Sequence, residues 1–189
     1  MEIPLFPLRT VLYPGGPLPL RIFEQRYLDM ISRCMKEEQP FGVLQIREGS
    51  ETGPATTYDV GTLARIVDWY QGSDGLLGVT ATGLGRFRRL SDRRQADGLH
   101  LGTVELLPEE STVPLPDELR PLADILEGVI DDLGKLYEGL DKHYDDASWV
   151  SYRFAEILPI TPEQKQACLE TDDPIERLES MRSVLEAVR

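Results

Sequence analysis

The sequence predicts an α+β protein, with a curled sheet or partly closed barrel first and helices last. Apolar residues recur with a period of two through most of residues 1–107, as in strands, and with spacings of three and four after residue 117, as in amphipathic helices. Charge is divided in the same way. Residues 1–107 hold 12 basic and 13 acidic residues, whereas residues 108–189 hold 8 and 20, a net charge of −12. We therefore predict two subdomains, 1–107 and 117–189.

The first 22 residues hold five prolines and few charges. Within them, PLPLRI at 17–22 alternates with the period of a strand, and its two prolines confine that strand to a sheet edge or a bulged position because each lacks an amide donor. The apolar spacing becomes helical from Glu24, and Pro40 ends the predicted helix. Because prolines and charges interrupt the apolar start, we expect neither an export signal nor a membrane anchor.

Further strands follow in short succession. Period-two stretches bounded by turn residues predict five of them, at 41–47, 61–70, 76–83, 86–91 and 99–107. The segment 49–57 is predicted to be a loop, and GSDG at 72–75 a hairpin turn. GLGR at 83–86 lacks the Lys and the Ser or Thr of a phosphate-binding loop, so its glycines predict a bulge or a sharp bend.

The C-terminal third has the pattern of amphipathic helices. Apolar residues from Leu119 to Leu140 step by three and four, which predicts one helix of about six turns whose apolar stripe needs a partner surface. A second helix is predicted within 145–159, where DD at 145–146 offers an aspartate cap. TPEQ at 161–164 and DPIE at 173–176 each place a capping residue before a proline, which predicts two more helix starts. The last of these helices is predicted to continue to Leu185.

No pattern of residues indicates catalysis, a cofactor or a metal. Ser32 and Lys36 share a helix face, but such a pair is usually a solvated surface couple. The two histidines, His100 and His143, have no second ligand at a metal-binding spacing. The two cysteines lie far apart in apolar patterns, which favours a reducing, cytoplasmic compartment. We predict a protein that is not an enzyme.

Two groups of residues are candidates for a contact surface. Five arginines between Arg86 and Arg94 either hold nucleic-acid phosphates or form salt bridges with the acidic helices or an acidic partner. The net charge of −13 disfavours nucleic acid. Trp69 and Tyr70 end a strand beside a flexible turn and face opposite sides, so at least one is expected to be exposed; a plug at the hairpin end is the alternative.

The stretch IPLFPLRTVLYPGGPLPLRIFEQRYLDMI, at 3–31, resembles the opening of the N-terminal domain of Lon proteases, whose pattern runs PLFPL, a FPG turn, PL and IFE-x-RY. The turn here is YPGG, a mild departure. The resemblance continues along nearly the whole chain, through FGV at 41–43, VGTLARI at 60–66, DGLLGVTATGLGRF at 74–87 and LPITPEQKQACLETDDPIERLESM at 158–181.

This resemblance implies a PUA-like pseudo-barrel with one early helix, followed by a C-terminal helical bundle. It also implies the role of that module in Lon, which is to capture unfolded or tagged protein substrates. The ATPase and the Ser–Lys peptidase of Lon lie in later domains, so the chain looks like the stand-alone bacterial Lon substrate-binding-domain proteins. Proteolysis is not implied.

We therefore expect a cytoplasmic, non-enzymatic module that binds unfolded or partner proteins and peptides, without a cofactor, a metal or a membrane. Phe23 and Tyr27 are expected to plug the barrel where strand becomes helix, and Glu24 with Arg26 to tie the helix start to neighbouring backbone or charges. An RNA- or nucleotide-binding protein that uses the Arg86–Arg94 patch is the alternative, and a small hydrolase ranks third. The oligomeric state is left open. The expected contact residues are Phe23, Arg26, Tyr27, Trp69, Tyr70 and Arg86.

Overall fold

The structure, a computed structural model, describes residues 1–187 of the chain; the last two residues of the predicted subdomain 117–189 lie outside this range. Two units are present, Met1–Pro108 and a second that begins at Glu109. The first holds a β-rich sheet and one helix, and the second holds several helices.

Seven strands and one long helix make up the first unit. The helix, α1, spans Gln25–Glu37. The strands predicted at 76–83 and 86–91 form one continuous strand, and a three-residue strand lies within the predicted loop 49–57. The strands are β1 (Glu2–Leu8), β2 (Pro17–Ile22), β3 (Phe41–Gly49), β4 (Ala55–Thr57), β5 (Val60–Gln71), β6 (Leu77–Arg94) and β7 (His100–Leu106).

The strands pair in the order β1-β7-β6-β5-β3-β4, and β1 also pairs with β3. β1 is antiparallel to β7 and parallel to β3. Five strands, β1, β7, β6, β5 and β3, therefore form a closed circuit of backbone pairing. β2 pairs with β6 alone, which confirms its prediction as an edge strand. Its Pro17 and Pro19 are tolerated there because an edge strand can spare amide donors.

Two apolar clusters fill the first unit. The larger joins residues of β1, β2, α1, β3, β5 and β6, and at its centre the ring of Phe6 stacks on Tyr27 with centroids 4.0 Å apart. Phe41 lies beside this pair at 6.2 Å from Phe6. The smaller cluster surrounds the fully buried ring of Phe87. Burying each of these rings stabilises the unit by about 1.5–3 kcal/mol.

The irregularity predicted at GLGR is a register shift within β6. Thr62 of β5 pairs with Arg86, whereas Ala64 pairs with Gly83, so β6 holds one more residue than β5 over this stretch. An extra residue of this kind bends the strand and increases its local twist. The prediction of a bulge at these glycines is confirmed.

Gly83 is also the point at which β6 meets the YPGG turn. The amide of Gly15 donates to the carbonyl of Gly83, and the amide of Gly83 donates to the carbonyl of Gly16, both at 2.9 Å. A Cβ built at Gly83 would lie 2.1 Å from the carbonyl oxygen of Tyr13. The close approach of the two backbones therefore requires glycine at this position.

Five α-helices make up the described part of the second unit. Asp146 accepts a hydrogen bond from the amide of Ser148 at the start of α3, and Thr161 and Gln164 form a reciprocal capping box at the start of α4. Asp173 accepts hydrogen bonds from the amides of Ile175 and Glu176 at the start of α5, so all three predicted caps are confirmed. α3 packs against α2, α4 and α5. The helices are α2 (Arg120–Leu133), α3 (Ala147–Ile157), α4 (Pro162–Glu170), α5 (Pro174–Ser180) and α6 (Arg182–Ala187).

Two of the predicted helices are shorter than expected. The helix predicted from Leu119 to Leu140 ends at Leu133, because Gly134 adopts φ +58° and cannot continue an α-helix; a 3₁₀ turn follows at Gly134–Leu136. The last predicted helix is divided at Met181 into α5 and α6. The prediction of one helix of six turns was wrong because side-chain spacing does not report a break in the backbone.

A fully buried arginine links the helices of the second unit. Arg177 of α5 donates from Nε to the carbonyl of Cys168 at 2.9 Å, and from Nη1 to Oγ of Ser151 at 2.8 Å. Its guanidinium also pairs with the carboxylate of Glu110 and lies 3.8 Å from the centroid of the Tyr152 ring. One side chain thus joins α3, α4, α5 and the segment before α2, and Glu110 balances its charge.

Replacing Gly83 with alanine is expected to lower the free energy of unfolding by about 1–3 kcal/mol, because the new Cβ forces two backbones apart. Gly85, two residues along the same strand, is the matched control, since a Cβ there meets nothing within 4 Å. We expect Gly85→Ala to stay within about 0.5 kcal/mol of the parent protein in urea unfolding. Equal effects of the two substitutions would contradict the close approach.

Replacing Arg177 with methionine is expected to lower the free energy of unfolding of the second unit by about 3–5 kcal/mol, because Glu110, the carbonyl of Cys168 and the hydroxyl of Ser151 lose their partner. Arg182→Met is the control, since Arg182 forms an exposed ion pair with Glu179, and it should cost at most about 1 kcal/mol. In a Trp69→Phe background, the fluorescence of the buried Trp149 reports denaturation of this unit. A small loss in Arg177→Met would show that the network is dispensable.

Candidate functional site

An open groove lies at the corner where β2 passes into α1. Its volume is about 750 Å³, and its walls are the start of α1 at 24–27, the loop at 50–55 and the segment 94–100. Arg26 and Tyr27, in the first of these walls, are among the contact residues expected from the sequence, whereas the other two walls were not predicted. ADG at 96–98 is an ordinary turn signal, and nothing in it indicates that the turn lies beside α1.

Arg26 holds this corner together. Its Nε donates to Oε2 of Glu24 at 2.9 Å, and its Nη1 donates to the carbonyl of Gly98 at 3.0 Å. The guanidinium carbon lies 4.6 Å from the centroid of the Tyr27 ring, within reach of a cation–π interaction. The expectation that Glu24 and Arg26 tie the start of the helix to neighbouring backbone and charge is confirmed.

The acidic groups of the groove already have partners within the protein. Glu51 accepts a hydrogen bond from the backbone amide of Arg9 at 2.8 Å, and Asp97 accepts one from the amide of Leu99 at 3.0 Å. Nδ1 of His100 lies 2.7 Å from Oδ2 of Asp92. The groove is therefore a polar surface of mixed charge rather than a concentrated acidic or basic site.

Tyr27 lies beneath the groove and is buried, whereas Phe23 is 59% exposed. Burial raises the pKa of Tyr27, so its hydroxyl stays protonated at neutral pH. The expectation that Phe23 helps to plug the sheet was wrong. Ile22 occupies the buried position at the end of β2, and because successive side chains alternate along a strand, Phe23 points outward.

Four large apolar side chains are more than half exposed at one end of the sheet. Ile22, Leu77 and Gln71 lie in line across β2, β6 and β5, at one end of three paired strands. Phe23, Trp69 and Tyr70 lie within two residues of this line, and Val67 lies four residues from Gln71, at the register shift of β5. We call these four residues the aromatic end. Trp69 and Tyr70 of β5 are both exposed, which confirms the expectation that at least one of them would be. The aromatic end is Phe23 (59% exposed), Val67 (51%), Trp69 (58%) and Tyr70 (52%).

The arginines from 86 to 94 do not form a free basic patch. Arg86 is only 5% exposed, so this predicted contact residue is buried and is not available at the surface. Three others are paired within the first unit: Arg88 with Glu105 at 3.6 Å, Arg89 with Asp59 at 2.7 Å, and Arg93 with Glu2 at 2.9 Å. Salt bridges were expected with the acidic helices or a partner, but carboxylates of the first unit itself form them. Glu105 lies on β7, Asp59 lies just before β5, and Glu2 lies on β1.

Within residues 1–187, no helix is long and apolar enough to span a bilayer, and no three His, Cys, Asp or Glu side chains meet as a metal site. Cys34 and Cys168 are both buried as free thiols. Burial raises the pKa of Cys34 to about 11, which disfavours the nucleophilic thiolate at neutral pH.

Residues 2–187 match the family model described as the ATP-dependent protease La (LON) substrate-binding domain. The chain is 28% identical over 193 residues to a Lon protease of Anaeromyxobacter dehalogenans, and 31% identical over 196 residues to one of Paraburkholderia phytofirmans. Each alignment covers 97% of this chain but only 22% and 24% of those proteins. The chain thus spans about a quarter of the length of these relatives.

A solved structure has the same fold. The crystal structure of a Lon N-terminal domain protein from Xanthomonas campestris matches with a TM-score of 0.79 and 36% sequence identity. The match covers 97% of this chain and 98% of that chain. The β-rich sheet followed by several helices is therefore the architecture of that domain as well.

Replacing Arg26 with alanine is expected to open the corner groove, because the link between α1 and the turn at Gly98 is lost. We expect the free energy of unfolding to fall by about 1–2 kcal/mol and the amides of 97–99 to exchange faster with solvent. Arg33→Ala, at an exposed position of the same helix, is the control. Unchanged exchange at 97–99 in Arg26→Ala would contradict this role, and both variants can be followed by hydrogen exchange.

Proposed function

The chain belongs to the family of Lon substrate-binding domains, and on that premise we propose that it is a module that holds exposed apolar segments of unfolded clients or partner proteins. Substrate binding, rather than catalysis, is the role that the family description gives. The observation that carries the proposal for this chain is the aromatic end.

The aromatic end leaves exposed to solvent the kind of large apolar side chain that folding normally buries. Fully burying one side chain of this size is worth about 1.5–3 kcal/mol, so a partner that covers the exposed groups on even one face of this end gains substantially. Tryptophan and tyrosine are enriched among the residues that dominate binding energies, because they bury a large area with little loss of side-chain freedom. Trp69 and Tyr70, adjacent on β5, have this character. Because they project from opposite faces of the strand, a client contacts both by wrapping around this end of the sheet.

The corner groove supplies a polar rim to this apolar surface. Phe23 of the aromatic end directly precedes Glu24, which lines the groove together with Arg26 and Arg94. A volume of about 750 Å³ lies within the range of sites that bind small ligands or short peptide segments. Backbone amides and carbonyls of an extended client can hydrogen-bond to the groove while its apolar side chains contact the aromatic end.

Contact through side chains is favoured over strand addition at β2. A client strand that extends a sheet needs a row of free amides and carbonyls on the edge. Pro17 and Pro19 remove two amides from the six residues of β2. The prolines thus protect this edge from indiscriminate pairing, and the proposed binding depends on the aromatic end.

We interpret the architecture as that of the wider family. The closed pairing circuit of β1, β7, β6, β5 and β3 supports a PUA-like pseudo-barrel in residues 1–107, and the packing of α3 against α2, α4 and α5 supports a helical bundle in residues 117–189. Two buried free thiols suit a reducing cytoplasm. In this proposal the module binds and does not cleave. The ion pairs of Arg88, Arg89 and Arg93 offer no support to the RNA-binding alternative.

Combined replacement of Phe23, Trp69 and Tyr70 by serine is expected to weaken binding of a permanently unfolded, reduced and alkylated reporter protein by at least about tenfold. The same reporter in its folded form should bind weakly to the parent protein, because its apolar segments are hidden. Fluorescence anisotropy with a labelled reporter measures both.

The matched control for this triple variant is Leu90→Ser with Leu106→Ser. These leucines are 60% and 59% exposed but lie on β6 and β7, outside the aromatic end. We expect the double variant to bind the unfolded reporter like the parent protein. Equal retention of folded and unfolded reporter, or equal losses in the two variants, would overturn the proposal.

A further inference from the structure

Helix α2 has two apolar faces, and the core of the second unit uses only one. Ala123, Leu126 and Ile130 are buried against the rest of the unit. A second row, which we call the α2 ridge, follows spacings of three and four residues and continues into the 3₁₀ turn. Ile125, Leu133 and Leu136 of this row are 41%, 45% and 40% exposed, and the full ridge is Leu122, Ile125, Val129, Leu133 and Leu136.

An apolar cavity opens beside the ridge. Its volume is about 230 Å³, which is room for a large apolar side chain, and Ile125 and Val129 of the ridge lie in its wall. Polar side chains are absent from its lining among the described residues. The lining residues are Ile125, Leu126, Val129, Phe154, Ile157, Leu158, Pro159 and Leu185.

Acidic side chains border the ridge. Six carboxylates and only two basic residues lie between residues 117 and 136, and residues 108–189 carry a net charge of −12. With 3.6 residues per turn, Asp132 lies next to Ile125 and Val129 around the helix, and Asp124 and Asp131 follow on the same side. All three aspartates are exposed.

We propose that the α2 ridge and its cavity bind an amphipathic helix of a partner protein whose apolar face is flanked by lysine or arginine. A helix in an apolar groove places residues at i, i+3, i+4 and i+7 against the groove, and the same spacing runs along the ridge. One of those residues fills the cavity, and the basic flanks face Asp132 and Asp124. Gly128 is exposed and a Cβ there would meet nothing within 4 Å, so the partner can approach α2 closely.

Charge distinguishes this partner from two other occupants. A second copy of the chain has a net charge of −13, and a two-fold contact through α2 would place acidic side chains opposite each other. An unfolded client without basic residues gains nothing from the aspartates. The surface therefore goes beyond the proposed client binding at the aromatic end and serves a folded, basic partner.

The test uses three labelled 18-residue peptides with the parent protein. The first contains leucine and lysine in helical order, with leucine at spacings of three and four. The second has the same composition scrambled, and the third has glutamate in place of lysine. We expect saturable binding of the first, at least about tenfold weaker binding of the second, and none of the third. Binding of the first should weaken as salt rises.

Substitutions then locate the site. Ile125→Ser is expected to weaken binding of the first peptide about tenfold, because the wall of the cavity loses its apolar contact. Asp132→Lys should weaken it about threefold and reduce its salt dependence. Glu170→Lys is the matched control, since Glu170 is also an exposed acid in the last turn of a helix, and it should leave binding unchanged.

The outcomes separate this proposal from the one above. Circular dichroism checks that each variant is folded. If Ile125→Ser does not fold, the comparison of Asp132→Lys with Glu170→Lys still tests whether the peptide binds at α2. Binding of the unfolded reporter should be the same in all three variants. The proposal would be overturned if the ordered and scrambled peptides bound with equal affinity, or if Asp132→Lys and Glu170→Lys weakened binding equally. Either result would show that the peptide binds through general charge attraction.

Discussion

The pairing of β1 with two strands at once is the constraint on which the first unit depends. β1 is antiparallel to β7 and parallel to β3, and this second contact closes the circuit of five strands. Closure leaves both faces of β1 against apolar side chains. Phe6 and Leu8 belong to the larger cluster, whereas Ile3 and Leu5 belong to the smaller one, as the period of two along a strand requires.

The position of the corner groove follows from this closure. Phe6 stacks on Tyr27 and so fixes the start of α1 over the larger cluster, and Arg26 then reaches the carbonyl of Gly98 just before β7. β2 stays outside the circuit and pairs with β6 alone, so the end of the sheet formed by β2, β6 and β5 keeps its aromatic side chains in solvent. The pairing of the strands thus determines both the closed circuit that encloses the apolar clusters and the position of the proposed contact surface, the aromatic end.

The second unit depends on a different interaction. Arg177 and Glu110 form a pair from which water is largely excluded, and carbonyl and hydroxyl acceptors satisfy the remaining donors of the guanidinium. Such a pair contributes little if it is exchanged for apolar groups but is costly to break, so it specifies how the helices meet. α2 takes part through one face only, which is why a helix predicted to need a partner still presents an apolar ridge to solvent.

The sequence by itself determined the local features: the division into a strand-rich first part and a helical second part, the edge position of β2, the bulge at Gly83 and the caps of α3, α4 and α5. These depend on neighbours a few residues apart, where periodicity, proline and glycine act directly. Tertiary structure alone decided that Arg86 is buried, that Arg93 pairs with Glu2, that Phe23 points outward and that Arg26 borders a groove. Those outcomes join residues as many as 91 positions apart, and composition and spacing carry no information about which distant segments close on each other.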